Sequence, residues 1–212
     1  MHRIGPFLSV VKMKTQDLIL LFSKVETLPV DVNDVLKCLR DNGHDDDIEF
    51  IGVDLDPEIL QGQIKIFWSH NGVYGEPTRC ANIYYHRGHE SDWQRFIACK
   101  ELLHLLDSEL AHTKSQQDID LLAEKIGLPP EMQDPTSDGF QANVDRVAEW
   151  RAAAILLPLA SRNLLHAAYK NGSINASDIA RLADIPRRYV GLVMSDAWPG
   201  VHEILTTPPE NV

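Results

Sequence analysis

The sequence predicts an α+β fold, with a small N-terminal sheet, antiparallel or mixed, followed by a C-terminal bundle of helices. Three observations support this prediction. Apolar runs rich in β-branched and aromatic residues at 48–53, 63–68 and 82–85 indicate short strands. Helical periodicity dominates from residue 91 onwards. A chain of 212 residues, 44% of them hydrophobic, can bury a core of its own. We therefore expect the helices to pack on one face of the sheet.

The individual elements follow from local patterns. Apolar residues recur at helical spacing from Val32 to Leu39, and Gly43 is a candidate C-cap. The run 45–47 of three aspartates is expected to be a solvated turn, and Asn71-Gly72 is typical of a turn between strands. Ser91, with Gln94 three residues later, resembles a capping box. We expect later helices at about 91–107, 116–126, 143–157, 159–170, 176–184 and 186–195.

The domain organisation is predicted to be one domain with short additions. Residues 1–28 form an N-terminal extension, although 18–22 are apolar enough to pack. The main domain spans 29–170, a helical segment packed on it covers 171–200, and 201–212 are expected to be a loose tail.

Composition and charge exclude several classes of protein. The net charge of −11 argues against broad nucleic-acid binding, which needs clustered Lys and Arg. Three scattered cysteines, Cys38, Cys80 and Cys99, do not form a disulfide framework, so we expect a reducing, cytoplasmic setting. Lysines and an aspartate interrupt the N-terminal apolar stretch, so no signal peptide is expected, and no run approaches the length of a membrane span.

The predicted helix at 91–107 has an unusual stripe. On a helical wheel one face begins apolar and then becomes charged, with Glu101 beside it. Because a buried charge is costly unless paired, this end of the stripe either opens onto a cleft or satisfies its own charges. The face consists of Trp93, Phe96, Ile97, Lys100, His104 and Asp107.

The segment Lys100-Glu101-Leu102-Leu103-His104 is a zinc-peptidase motif with lysine in place of the first histidine. In His-Glu-x-x-His the two histidines share one metal, and the glutamate acts as general base on the metal-bound water. A lysine must lose its proton to bind zinc, which from a pKa near 10.4 costs about 4–5 kcal/mol at neutral pH. We therefore do not expect Lys100 to bind a metal.

Four segments in order give a wider resemblance. Together they make residues 29–195 similar to the ImmA/IrrE family of zinc metallopeptidases (the IrrE N-terminal-like domain). That resemblance implies a zincin-like helix pair and a regulatory protein as partner or peptide substrate. The segments are 28–32, the strand 82–85 with the helix 94–106, the helix 145–158 with its Ala-Ala-x-Leu-Leu-Pro ending, and 177–190.

The resemblance also implies a third zinc ligand, a glutamate from the later helix. Counting back from Pro158 places Asp145 at that position, and Glu149 lies one turn further on the same face. The first ligand is therefore replaced, the second is retained as His104, and the third is shortened or displaced.

Two hypotheses follow for this site. In the first, no cofactor is bound, and the Lys100 ammonium takes the place of the cation and pairs with Asp145 or Glu149. The protein is then an inactive, metallopeptidase-like binding protein. In the second, His104 and Asp145 bind zinc together with Glu149 or Asp107. Glu101 then acts as general base of an active endopeptidase.

A third class of function is DNA binding. Residues 177–190 have a helix-turn-helix rhythm, in which Arg181, Arg187 and Arg188 are available to meet phosphates. Asp184, however, stands where a turn glycine is usual, and acidic neighbours dilute the charge. We expect a packing pair of helices here.

Overall fold

The computed structural model describes residues 13–54, 62–70, 75–106 and 139–208, and the side chains of the helix beginning at 139 from residue 146 onwards. Within these residues the chain forms eight α-helices and three strands, which confirms the α+β class. The helices are α1 Thr15–Phe22, α2 Val32–Asp41, α3 Ser91–Leu103, α4 Gly139–Leu156, α5 Leu159–Lys170, α6 Ala176–Ala183, α7 Arg187–Val193 and α8 Trp198–Thr206. The strands are β1 Asp47–Val53, β2 Gly62–His70 and β3 Pro77–His86.

The sheet is mixed, in the order β1-β3-β2. Strand β1 is parallel to β3, and β2 is antiparallel to β3. Ile83 lies opposite both Phe50 and Ile64, so these three side chains share the face of the sheet that packs into the core. The predicted turn at Asn71-Gly72 and the predicted helix 116–126 lie outside the described residues.

Helix α3 is the central element of the fold. It packs against α2, α4, β2 and β3, and a one-turn 3₁₀ helix, His104–Leu106, continues it. Its second half is therefore buried around most of its circumference and not along one stripe only. The residues involved are Phe96, Ile97, Ala98, Cys99, Glu101, Leu102 and Leu103.

Both ends of the described chain contribute to the core. Leu18 and Ile19 of α1 are fully buried, and α1 packs against α4 and α8. The expectation of a loose tail from residue 201 is wrong up to Thr206, because Val201 and His202 are buried in α8. The predicted extension is likewise part of the domain from α1 onwards, since each helix buries an apolar stripe against the other.

Two local predictions were wrong. Glu90, not Ser91, is the N-cap of α3, and the side chain of Gln94 donates to the carbonyls of Arg87 and His89, at 3.1 and 2.6 Å. Gln94 thus holds the preceding loop instead of the helix end. In the aspartate run, Asp46 is buried and lies 3.3 Å from the Arg79 guanidinium, so only its neighbours are solvated.

The α6–α7 pair is anchored by arginines at both of its carboxyl ends. The Nη1 atom of Arg95 donates to the carbonyls of Ala183 and Asp184, at 2.8 and 2.7 Å. Arg162 donates in the same way to the carbonyls of Val193 and Ser195. Asp184, at the position where a turn glycine is usual, adopts the left-handed conformation with φ of 51°. The two helices are therefore fixed to the main domain.

No helix in the described part of the chain is both long and apolar enough to cross a membrane.

Candidate functional site

Lys100 and Glu101 form an ion pair on α3, and Glu101 lies close to the start of β2. The Lys100 Nζ atom lies 3.1 Å from the Glu101 Oε1 atom. The two side chains are 13% and 5% exposed, so the pair is largely removed from water. Because an ionised carboxylate so deeply buried is costly without a partner, the lysine stabilises Glu101 in place.

His104 lies one turn beyond Lys100, as the motif requires. It ends α3 and begins the 3₁₀ turn with near-helical dihedral angles, φ −63° and ψ −17°. Its backbone N–H is directed at the carbonyls of Glu101 and Leu102, and its side chain is half-buried. The predicted spacing of Lys100 and His104 on one helical stripe is thus preserved. Asp107, predicted as a secondary ligand, lies outside the described residues.

Glu149 of α4 has an arginine as partner. Its Oε1 atom lies 3.3 Å from the Nη2 atom of Arg188. The Arg188 guanidinium also stacks 4.5 Å from the ring centre of Trp93 and 4.6 Å from that of Tyr189. Burial, together with the Glu149 carboxylate, raises the pKa of Tyr189 above its ordinary value. These contacts tie α4 and α7 to the first turn of α3.

The predicted partners of Lys100 on α4 are Asp145 and Glu149. For Glu149 the described contact is Arg188, and for Lys100 it is Glu101. Asp145 belongs to α4, but its side chain lies outside the described residues. The pairing of Lys100 with Asp145 stays a prediction.

Strand β2 begins directly against the site helix. A Cβ atom added at Gly62 would lie 2.3 Å from the Ile97 Cγ2 atom and 3.3 Å from the Glu101 Cγ atom. Only glycine therefore allows the strand to approach α3 this closely beside Glu101. This contact is not predictable from the sequence, since a lone glycine at the start of a strand is common.

The other histidine and cysteine side chains near α3 do not complete a metal site within the described residues. Among the described side chains, no three His, Cys, Asp or Glu residues form a group that could hold a metal ion. Cys99 is fully buried, and burial raises the pKa of its thiol to about 12. The rings of His86 and His89 are in edge contact at 4.9 Å, and His89 stacks on Trp93. Burial and the neighbouring His86 lower the pKa of His89.

A cleft of about 270 Å³ runs along another face of α3. On the helical wheel its α3 residues lie away from Lys100 and His104. Sequence patterns did not reveal this cleft, because α2, the sheet and α3 form it jointly. Its lining is Asp31, Val32, Asn33, Phe50, Tyr85, Ser91, Gln94, Arg95 and Ala98.

No protein-family model matches the chain, and no curated protein matches it. The resemblance to ImmA/IrrE peptidases therefore stays a prediction from the residues that suggested it.

Proposed function

We propose that this protein is a metallopeptidase-like pseudoenzyme that acts by binding a protein partner. In this proposal the Lys100–Glu101 ion pair takes the place of the zinc centre of ImmA/IrrE-type peptidases. The observation that supports it is the 3.1 Å contact between the Lys100 ammonium and the Glu101 carboxylate, with both side chains largely buried.

This contact opposes both halves of the zinc-peptidase mechanism. The lysine at the first ligand position is an ammonium, which repels a metal cation and has no lone pair to donate. The Glu101 Oε1 atom is already in ionic contact with that ammonium at 3.1 Å, whereas a general base must accept its proton from the metal-bound water. Lys100 and Glu101 therefore do not fit a zinc ion at this position.

Binding of a regulatory protein is the role that remains. It is the role implied by the resemblance, since the family acts on regulatory proteins, including helix-turn-helix repressors. The cleft along α3 offers such a partner a mixed polar and aromatic surface, including Asp31, Tyr85 and Arg95. A role in DNA binding has less support, because Arg181 pairs with Asp178 at 3.1 Å and Arg188 pairs with Glu149.

The deciding experiment is metal analysis of protein purified without chelators. We expect less than one-tenth of a zinc ion per chain, about the background of such a measurement, because the ammonium of Lys100 occupies the ligand position. One zinc per chain, lost in His104→Ala, would instead establish the altered-ligand peptidase with His104, Asp145 and Glu149 or Asp107. Peptide hydrolysis that disappears in Glu101→Gln would also overturn the proposal. That variant separates activity of this site from a contaminating protease.

A further inference from the structure

Strand β2 has an outer edge that the sheet leaves open. It is the last strand in the order β1-β3-β2, and within the described residues no strand pairs with it on the side away from β3. The strand is nine residues long and contains neither proline nor a charge facing the core, two devices that protect edge strands from pairing. Within the described residues, the backbone donors and acceptors on this side of β2 therefore have no strand to pair with.

The core face of β2 is apolar beyond the part that the helices cover. Ile64, Ile66 and Trp68 alternate along one face, the face on which Ile64 packs against the core. Exposure increases along this row: Ile64 is partly buried, Ile66 is 41% exposed and Trp68 is 64% exposed. An isoleucine and a tryptophan side by side on an open edge form a larger apolar surface than a single exposed residue does.

The apolar row of β2 can pair with the same row of a second copy. Ile66 is the central residue of β2, so an antiparallel copy overlaps all nine residues only when Ile66 faces Ile66. In that register Trp68 faces Ile64 of the other copy on the core face. On the opposite face Lys65 faces Phe67, whose ring accepts both the apolar stem and the charge of a lysine. No residue of like charge lies directly opposite another, a pairing that would destabilise the sheet.

The charge of the strand also favours a second copy of this chain. The chain carries a net charge of −11, so two copies repel each other over most of their surfaces. Strand β2 contains no Asp or Glu and a single lysine, which makes this edge one of the places where two copies approach without acidic repulsion.

We infer that the protein forms a homodimer in which the two β2 strands pair antiparallel about a two-fold axis at Ile66, giving one continuous six-stranded sheet. The apolar rows of Ile64, Ile66 and Trp68 meet on the core face of this sheet. The inference is independent of whether the Lys100–Glu101 site binds metal.

The first test places like charges on the axis. Ile66→Arg brings two guanidinium groups together, and Leu164→Arg is a matched control on α5, at a residue that is 63% exposed. Sedimentation analysis up to about 100 μM should show a dimer for wild type and for Leu164→Arg. The dissociation constant of the Ile66→Arg dimer should be at least about 100-fold larger. Circular dichroism verifies that both variants fold. A dimer unaffected by Ile66→Arg overturns the inference. So does a wild-type monomer throughout, which would leave the edge to a different protein.

The second test fixes the register. In a Cys38→Ser background, Ile66→Cys places two thiols opposite each other within disulfide distance, because paired strands hold facing Cα atoms about 4.5–5.5 Å apart. The control Gln63→Cys places its two thiols about 20 Å apart along the strands. Mild oxidation should therefore cross-link Ile66→Cys at least tenfold faster than Gln63→Cys. Equal rates, or faster cross-linking of Gln63→Cys, would contradict this register.

Discussion

Replacing Lys100 by Met tests the ion pair on which the proposed function depends. At 3.1 Å, and with an effective dielectric constant of about 20, the attraction between the two charges is about 5 kcal/mol. Desolvation offsets part of this, but removing one partner leaves the other charge buried alone. We therefore expect Lys100→Met to lower the free energy of unfolding by about 3 kcal/mol.

Urea denaturation of wild type, Lys100→Met, Glu101→Gln and the double variant completes a double-mutant cycle. The cycle isolates this pair from the other contacts of Lys100, and we expect a coupling free energy of about 2 kcal/mol. The matched control is the pair Lys37–Asp41, at 2.5 Å but with side chains 72% and 58% exposed, for which no measurable coupling is expected. A coupling between Lys100 and Glu101 no larger than that of the control would refute the reasoning, because the pair would then be screened by water.

Three further predictions concern packing, thiol chemistry and pH. Gly62→Ala should lower the free energy of unfolding by about 1–3 kcal/mol, because the new methyl group collides with Ile97, and Ile97→Ala should relieve part of the loss in urea denaturation. A thiol reagent such as Ellman's reagent should modify Cys38 alone in the native protein but all three cysteines in urea, since Cys80 and Cys99 are buried. Fast modification of the native Cys38→Ser variant would contradict this. Burial lowers the pKa of His202, so the folded state binds fewer protons than the unfolded state, and stability should decrease as the pH falls below about 6.5. His202→Gln should flatten this dependence in thermal unfolding, and an unchanged pH dependence in that variant would contradict the assignment.

Much of the secondary structure was predictable because it depends on local periodicity. The strands at 48–53 and 63–68 and the helices at 159–170 and 176–184 agree with β1, β2, α5 and α6 to within one or two residues. Each of these elements has an apolar pattern with one clear period, 2 or 3.6 residues. Where the apolar pattern and the tertiary packing agree, the local sequence is sufficient to predict the helix or strand.

The errors come from contacts between residues far apart in the chain. Val201 and His202 were assigned to a tail because their apolar neighbour lies in α1, almost 180 residues earlier by the numbering. The wheel of α3 predicted a single buried stripe, but the helix has neighbours on several sides, so Cys99 and Glu101 are buried as well. Gly62 illustrates the same point at the site, since its close approach to Ile97 is visible only in three dimensions.

A last prediction concerns metal removal, and it separates the two hypotheses for the site by a measurement of stability. In the proposed function no zinc is bound, and the buried Glu101 carboxylate has the Lys100 ammonium as its partner at 3.1 Å. A zinc ion bound to the folded state alone would add about 2.7 kcal/mol of stability when its concentration is 100 times its dissociation constant. We therefore expect the thermal midpoint of wild type to be the same in EDTA and in micromolar zinc, and the midpoint of His104→Ala to respond no differently. A midpoint that rises with zinc in wild type but not in His104→Ala would mean that the lysine has not replaced the metal.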